Sequence, residues 1–216
     1  MQTAFYRALE QAHRAVRHGS SPTAAMHELA DQLSKAADAI APFACRSGCA
    51  HCCSFPVGVT FEEALRLRDA VNTAPRAERD RLRATIAREA LATESSTWSE
   101  LAGRACPLLQ GGTCSLYHAR PLPCRALGST DAEACARAAD GEAVPVPFSE
   151  EAFAAGLALG QVLDAHTGNH GHRELRTALA LVLATDDENG AVAAFARARD
   201  AGGDASGGSA SRCGTG

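Results

Sequence analysis

The sequence predicts a mainly α fold, with helices packed around two irregular, cysteine-bearing loops that form a metal centre. Three observations lead there. Aromatic residues make up only 5% of the 216 residues while alanine and leucine dominate, a composition that suits helices better than sheets. Apolar residues recur at helical spacing through most of the chain. Eight of the nine cysteines fall into two sets, and both sets lie in stretches where that spacing is lost.

In chain order, Phe5, Leu9, Ala12 and Val16 form one stripe, so residues 3–18 read as an amphipathic packing helix ended by His18-Gly19-Ser20. Ser21 offers a cap and Pro22 a first helical residue for the next helix. Its buried stripe is Met26, Leu29, Ala30, Leu33, Ala37 and Ile40, and Pro42 stops it. After the first cysteine loop, Thr60-Phe61-Glu62-Glu63 is a capping box that starts a helix carrying Leu65, Leu67 and Val71. Another helix begins near Pro75 and runs to about Ala92, with Leu82, Ile86, Ala90 and Leu91 on one side and a solvated charged face on the other.

Residues 104–148 change character. Gly111, Gly112, Pro121, Pro123, Pro145 and Pro147 break any long helix, leaving room for short helical turns such as 131–139. Ser149 caps the next helix, with Glu150 and Glu151 in its first turn. Gly156 and Gly160 on that helix would let another backbone approach closely. Two more helices fit 173–185 and 188–200, the second starting from Asp186-Asp187-Glu188-Asn189-Gly190, which lacks the spacing of a calcium loop. The chain thus divides into N-terminal helices (1–44), a cysteine-bearing core (45–148), C-terminal helices (149–201) and a Gly/Ser-rich tail (202–216) expected to be disordered, with one compact unit overall.

The formal net charge is −4 and no run of Lys or Arg stands out, so a nucleic-acid partner is not expected. No stretch approaches the ~18 apolar residues of a membrane helix, so neither is a membrane. Residues 1–16 hold no continuous apolar leader core, and a cytoplasmic location is expected. In a reducing compartment clustered cysteines read as ligands rather than disulfides. A protein partner is left open.

The first set is Cys45, Cys49, Cys52 and Cys53, spaced C-x3-C-x2-C-C, and the second is Cys106, Cys114, Cys124 and Cys135. Thiolates are soft ligands suited to zinc, copper(I) or iron–sulfur clusters. Ligands three or four residues apart in a turn can converge on one ion, and Gly48 inside that turn relieves crowding. Neighbouring side chains point in different directions, so Cys52 and Cys53 suggest two ions side by side or one multinuclear cluster. Four thiolates on a zinc ion leave excess negative charge, which Arg46, Arg104, Arg120 and Arg125, all close in sequence to cysteines, can offset. Cys135 lies in an alanine-rich turn where a plain buried thiol is the competing reading, and Cys213 in the tail reads as incidental.

The first loop together with the pattern CPLL…GTCSLYHARPLPCR resembles the YkgJ-type cysteine-cluster family, the CxxxCxxCC proteins described as zinc- or iron-chelating. The likeness covers roughly residues 45–137, and Ser129 to Cys135 is similar to a stretch seen in that family. It implies metal binding, with zinc or iron unresolved. The cluster also resembles that of flagellin lysine methylases, which hold iron–sulfur. Those are much longer chains, and no additional catalytic domain is visible here, so their activity is not carried over.

His51 and His118 lie among the cysteines and read as polar neighbours rather than ligands, and Tyr117 as a ring packed over the loop or in the core. His166, His170 and His172 read as a polar connection between helices, with a metal site or pH-sensitive turn as the alternative. There is no phosphate-binding loop, nucleotide fingerprint or Gly-x-Ser-x-Gly elbow. Three functions follow: a protein binding zinc or iron, an iron–sulfur cluster included; an iron–sulfur-dependent enzyme modifying a protein substrate; and a thiol redox sensor.

Overall fold

The computed structural model describes residues 2–18, 21–46, 48–185 and 187–197. The expected tail 202–216, with Cys213, lies outside the described residues, as do residues 198–200 of the last expected helix. The described chain is mainly helical, as its composition predicts, with short strands that the periodicity does not announce.

Helix α1 spans Gln2–His18 and α2 spans Pro22–Ile40. Ser21 stands at the N-cap of α2 but its hydroxyl makes no capping bond; Pro22, with φ preset and no N–H to satisfy, starts the helix instead. Strand β1 (Gly58–Thr60) runs straight into α3 (Phe61–Thr73). The capping box at that junction is complete, with Thr60 Oγ1 accepting from Glu63 N at 3.2 Å and Glu63 Oε2 accepting from Thr60 N at 3.0 Å. Helix α4 (Arg76–Ala92) follows, with Pro75 at its N-cap.

Beyond α4 come a two-residue hairpin, β2 (Leu109–Gln110) with β3 (Thr113–Cys114), and the short helices α5 (Leu122–Ala126) and α6 (Ala132–Ala139). Pro123 sits in the first turn of α5, where a proline opens a helix rather than breaking it. Asp131 caps α6, its carboxylate accepting from Glu133 N and Ala134 N at 2.9 Å each. Helix α7 (Glu150–Thr167) is capped by Ser149 as expected, Oγ accepting from Ala152 N at 3.3 Å. The helix expected over 173–185 begins two residues late: His172–Glu174 is strand β4, and α8 spans Leu175–Leu183. Helix α9 (Glu188–Arg197) completes the described chain.

Strand β4 pairs antiparallel with β1, Gly58 opposite Glu174 and Thr60 opposite His172. A three-residue strand carries too little alternation to be read locally, and it exists because its partner is far away in the chain.

The buried side chains form two apolar clusters. One gathers Phe61, Leu67, Val71, Leu82, Ile86, Leu179, Val182 and Phe195 from α3, α4, α8 and α9. The other gathers Val16, Met26, Leu29, Leu122, Leu159 and Leu163 from α1, α2, α5 and α7. The C-terminal helices are therefore shared out, α7 to one cluster and α8 and α9 to the other. At Gly156 the expected close approach occurs, and its neighbour is α5: a Cβ there would collide with Ala126 Cβ.

Candidate metal centre

The first cysteine segment is a turn followed by a 3-10 turn over His51–Ser54. Cys49 N donates to Arg46 O at 2.9 Å and Cys53 N to Ala50 O at 2.9 Å, so backbone bonds curl the loop at both pairs of thiols. Gly48 is needed for a different reason than crowding. A Cβ there would meet nothing within 4 Å, but its φ is +86°, the left-handed region that glycine enters without strain.

The second segment is laid against the first, backbone to backbone. Gly103 N donates to Ser54 O and Cys106 N to Cys53 O, both at 2.8 Å. Past Cys106, Leu109 N returns to Cys106 O at 3.0 Å and the β2–β3 hairpin turns through Gly111 and Gly112, both at positive φ, to place Cys114 opposite Leu109. Cys124 follows on α5. The start of the first segment is joined to the end of the second: Ala44 N donates to Ser129 O at 2.8 Å and Ser129 N to Cys45 Sγ at 3.4 Å. Helix α6, which carries Cys135, packs on the 3-10 turn.

The eight thiols are free. Electrostatic influence runs between the segments. The Cys135 thiol is pushed up by burial first and then by Cys45, Cys49 and Cys52. Burial pushes the Cys124 thiol well up, with Cys106, Cys52 and Cys114 adding to it. Cys106 is pushed up to about 11, again chiefly by burial. Cys52 is raised most by its hydrogen bond with Cys53 and then by burial. Burial also raises Cys45 and Cys114. These thiols stay protonated at neutral pH until something pays for their charge, and a soft cation does so by replacing the protons.

The structure does not show the metal centre that the sequence leads one to expect from the cysteine loops. Among the described residues no three His, Cys, Asp or Glu side chains are grouped so that they could hold a metal ion. The backbone nonetheless brings the cysteines of both segments to one region. The donor set itself, eight unbridged thiols on two joined segments, suits zinc or iron.

The arginines sort themselves by contact. Arg120 is a charged neighbour of both Cys52 and Cys114 and lowers their proton affinity. Its guanidinium also lies 4.2 Å from the centre of the Tyr117 ring, which is exposed rather than packed in the core. Arg104 instead pairs with Glu89 at 3.0 Å, and Arg125 with Asp31 at 2.7 Å. Arg176, far away in sequence, is the cation beside Cys106. Nothing local marks it, and sequence reading missed it together with the bonds that join Ser129 to Ala44 and Cys45 and the second bond of Glu63, whose Oε1 accepts from Leu122 N at 2.6 Å at the head of the Cys124 helix. His166, His170 and His172 form no metal group among the described residues: the His170 ring packs edge-on against Phe61 with centroids 5.1 Å apart, and His172 belongs to β4.

Among the described residues no helix is long and apolar enough to cross a membrane. No curated protein and no solved structure matches the chain. Residues 44–141, a little under half of the chain and the whole of the joined cysteine segments, match the CxxCxxCC family model, described as a "putative zinc- or iron-chelating domain".

Proposed function

We propose that this is a metal-binding protein that holds zinc or iron, an iron–sulfur cluster included, through Cys45, Cys49, Cys52, Cys53, Cys106, Cys114, Cys124 and Cys135. The observation that carries the reading is the joining of the two segments by Cys106 N to Cys53 O and Ala44 N to Ser129 O. Those bonds bring together two sets of thiols that are far apart in the chain, which plain burial of single cysteines does not require. A bound metal would supply the positive charge that these thiols need to ionise, and Arg120 would share that task at Cys52 and Cys114.

Elemental analysis of protein purified without added metal, with and without exclusion of oxygen, tests this. Zinc or iron in stoichiometric amount is expected in the parent chain, and visible colour with acid-labile sulfide identifies a cluster. Protein that carries no metal and takes up none sinks the proposal.

A redox sensor is the second reading. It draws on the hydrogen bond between the adjacent Cys52 and Cys53 thiols, a pair placed for oxidation once metal leaves. Mild peroxide would then release metal and remove two titratable thiols per chain, restored by a dithiol reductant. Metal retained through that treatment rules it out.

A further inference from the structure

Among the groups outside residues 44–141 that hold the cysteine segments is a short stretch, Glu174-Leu175-Arg176, at the junction of β4 and α8. Arg176 is 1% exposed. Its Nη1 donates to Glu174 Oε1 at 2.7 Å, while Glu174 Oε2 accepts from Arg176 N at 2.7 Å. Its Nη2 donates to the carbonyls of Arg104 and Ala105 at 2.8 and 2.9 Å. Those are the two residues just before Cys106. The same stretch holds the exit of the first segment, since Glu174 pairs with Gly58 across the strands and Leu175 N donates to Val57 O at 2.9 Å.

Burying an arginine is expensive, and an apolar residue of similar volume commonly serves packing as well or better. Part of that cost is offset at Nη1 and Nη2 by one carboxylate and two carbonyls, a spread of acceptors that a forked guanidinium reaches and a single ammonium does not, while the buried Nε has no hydrogen-bond partner. The carbonyls chosen belong to the strand of backbone that delivers Cys106 to Cys53. We propose that Arg176, oriented by Glu174, is a positioning residue of the metal centre: it fixes the backbone before Cys106 so that this thiol and those of the first segment face the same ion. The proposal rests on the metal-binding reading. It gives the C-terminal helices a part in metal binding, although they lie beyond the matched domain.

The test uses the full chain and two probes, zinc and, without oxygen, ferrous iron. Affinity is read by competition with a chromophoric chelator for the parent, Arg176→Met, Arg176→Lys, Cys106→Ser and the double variant with Arg176→Met and Cys106→Ser. Arg176→Met is expected to weaken binding roughly ten- to a hundred-fold, the range seen when the support of a metal ligand is removed. Arg176→Lys should recover little of the loss, because an ammonium cannot bridge the carboxylate and both carbonyls. In the Cys106→Ser background Arg176→Met should add little, since the thiol that it places is gone.

Arg176 variants that bind as tightly as the parent overturn the proposal. So does an equal loss with and without Cys106, which would mark a general weakening of the fold. If Arg176→Met does not fold, as judged by circular dichroism, Arg176→Lys carries the test, with and without Cys106→Ser. A parent chain that binds neither probe overturns the metal reading itself.

Discussion

His27 shows how a single side chain can make the fold sensitive to pH. It is 3% exposed, its Nε2 lies 3.9 Å from Glu63 Oε1, and its pKa is lowered to about 3. Burial is the main cause, and Arg125, Arg66 and Arg120 add to it. The folded state therefore keeps His27 neutral while the unfolded state takes up a proton near the ordinary histidine value of 6.5. Its contribution is whole above that value and is lost as pH falls from there toward about 3. Between pH 7 and pH 5 the loss is about 2 kcal/mol by linkage. Glu63 works in the opposite sense, because burial raises its carboxyl and the folded state binds that proton more readily as pH falls. The measurement is thus a difference: urea unfolding at pH 7 and pH 5 for the parent and for His27→Leu. A flatter pH dependence in the variant is expected, and equal slopes would contradict it.

Also at the residue scale, the adjacent thiols should matter separately. Cys52→Ser and Cys53→Ser are each expected to lower bound metal, because serine keeps the size but offers a hard, poorly ionised oxygen. Cys213→Ser should leave it unchanged. Cys135→Ser decides between eight and seven ligands, and the position of Cys135 beside Cys45, Cys49 and Cys52 makes a loss the expected result. Metal per chain is the quantity to compare, and a Cys53→Ser variant with the parent's full metal would undo the case for a multinuclear centre.

At the scale of elements, two junctions carry separate loads. The Thr60 cap satisfies the first turn of α3, so Thr60→Ala should cost about 1 kcal/mol in chemical denaturation. Metal per chain should not change, because the Thr60 hydroxyl is spent on the Glu63 N–H and no hydrogen bond from it to a cysteine is seen among the described residues. At the α5–α7 crossing, a side chain at Gly156 collides with Ala126 and lies close to the Leu122 carbonyl. Gly156→Val should therefore destabilise by about 1–3 kcal/mol, the usual cost of overpacking, despite valine's lack of glycine's backbone entropy. Unchanged stability in that variant would mean that the two helices can slide apart at little cost.

For the whole molecule, the two apolar clusters are filled mostly by side chains of the long helices, although Leu108, Leu116, Ala119 and Leu122 of the second cysteine segment join them and Cys106 and Cys114 pack against the first. Metal should then stabilise by linkage without being required for the helices. A chelator is expected to lower the melting temperature while leaving most of the helical circular dichroism at room temperature. Complete unfolding on chelation would show that the apolar clusters alone are not enough.

What the sequence determined by itself is whatever a few neighbouring residues can encode. The capping box at Thr60 and Glu63, the Ser149 cap, the short helix near 131–139 and the small residue at Gly156 were all legible, because their partners lie within a turn or their demand is steric and local. The cysteine segments were legible too, since ligand spacing in a turn is a local property, and the match over residues 44–141 agrees with that reading. Tertiary structure alone decided the rest. The pairing of β1 with β4, the sharing of α7 and α8 between different clusters, and the choice of Arg176 over Arg104 beside Cys106 all depend on groups distant in sequence. Arg104 was the nearer guanidinium, yet Glu89 on α4 holds it, and the buried pair of Glu174 and Arg176 takes the inner place. Proximity in sequence suggests candidate partners for a charged side chain. Burial, which depends on how the whole chain packs, fixes which partner it must have, because an unpaired charge costs far more inside than at the surface.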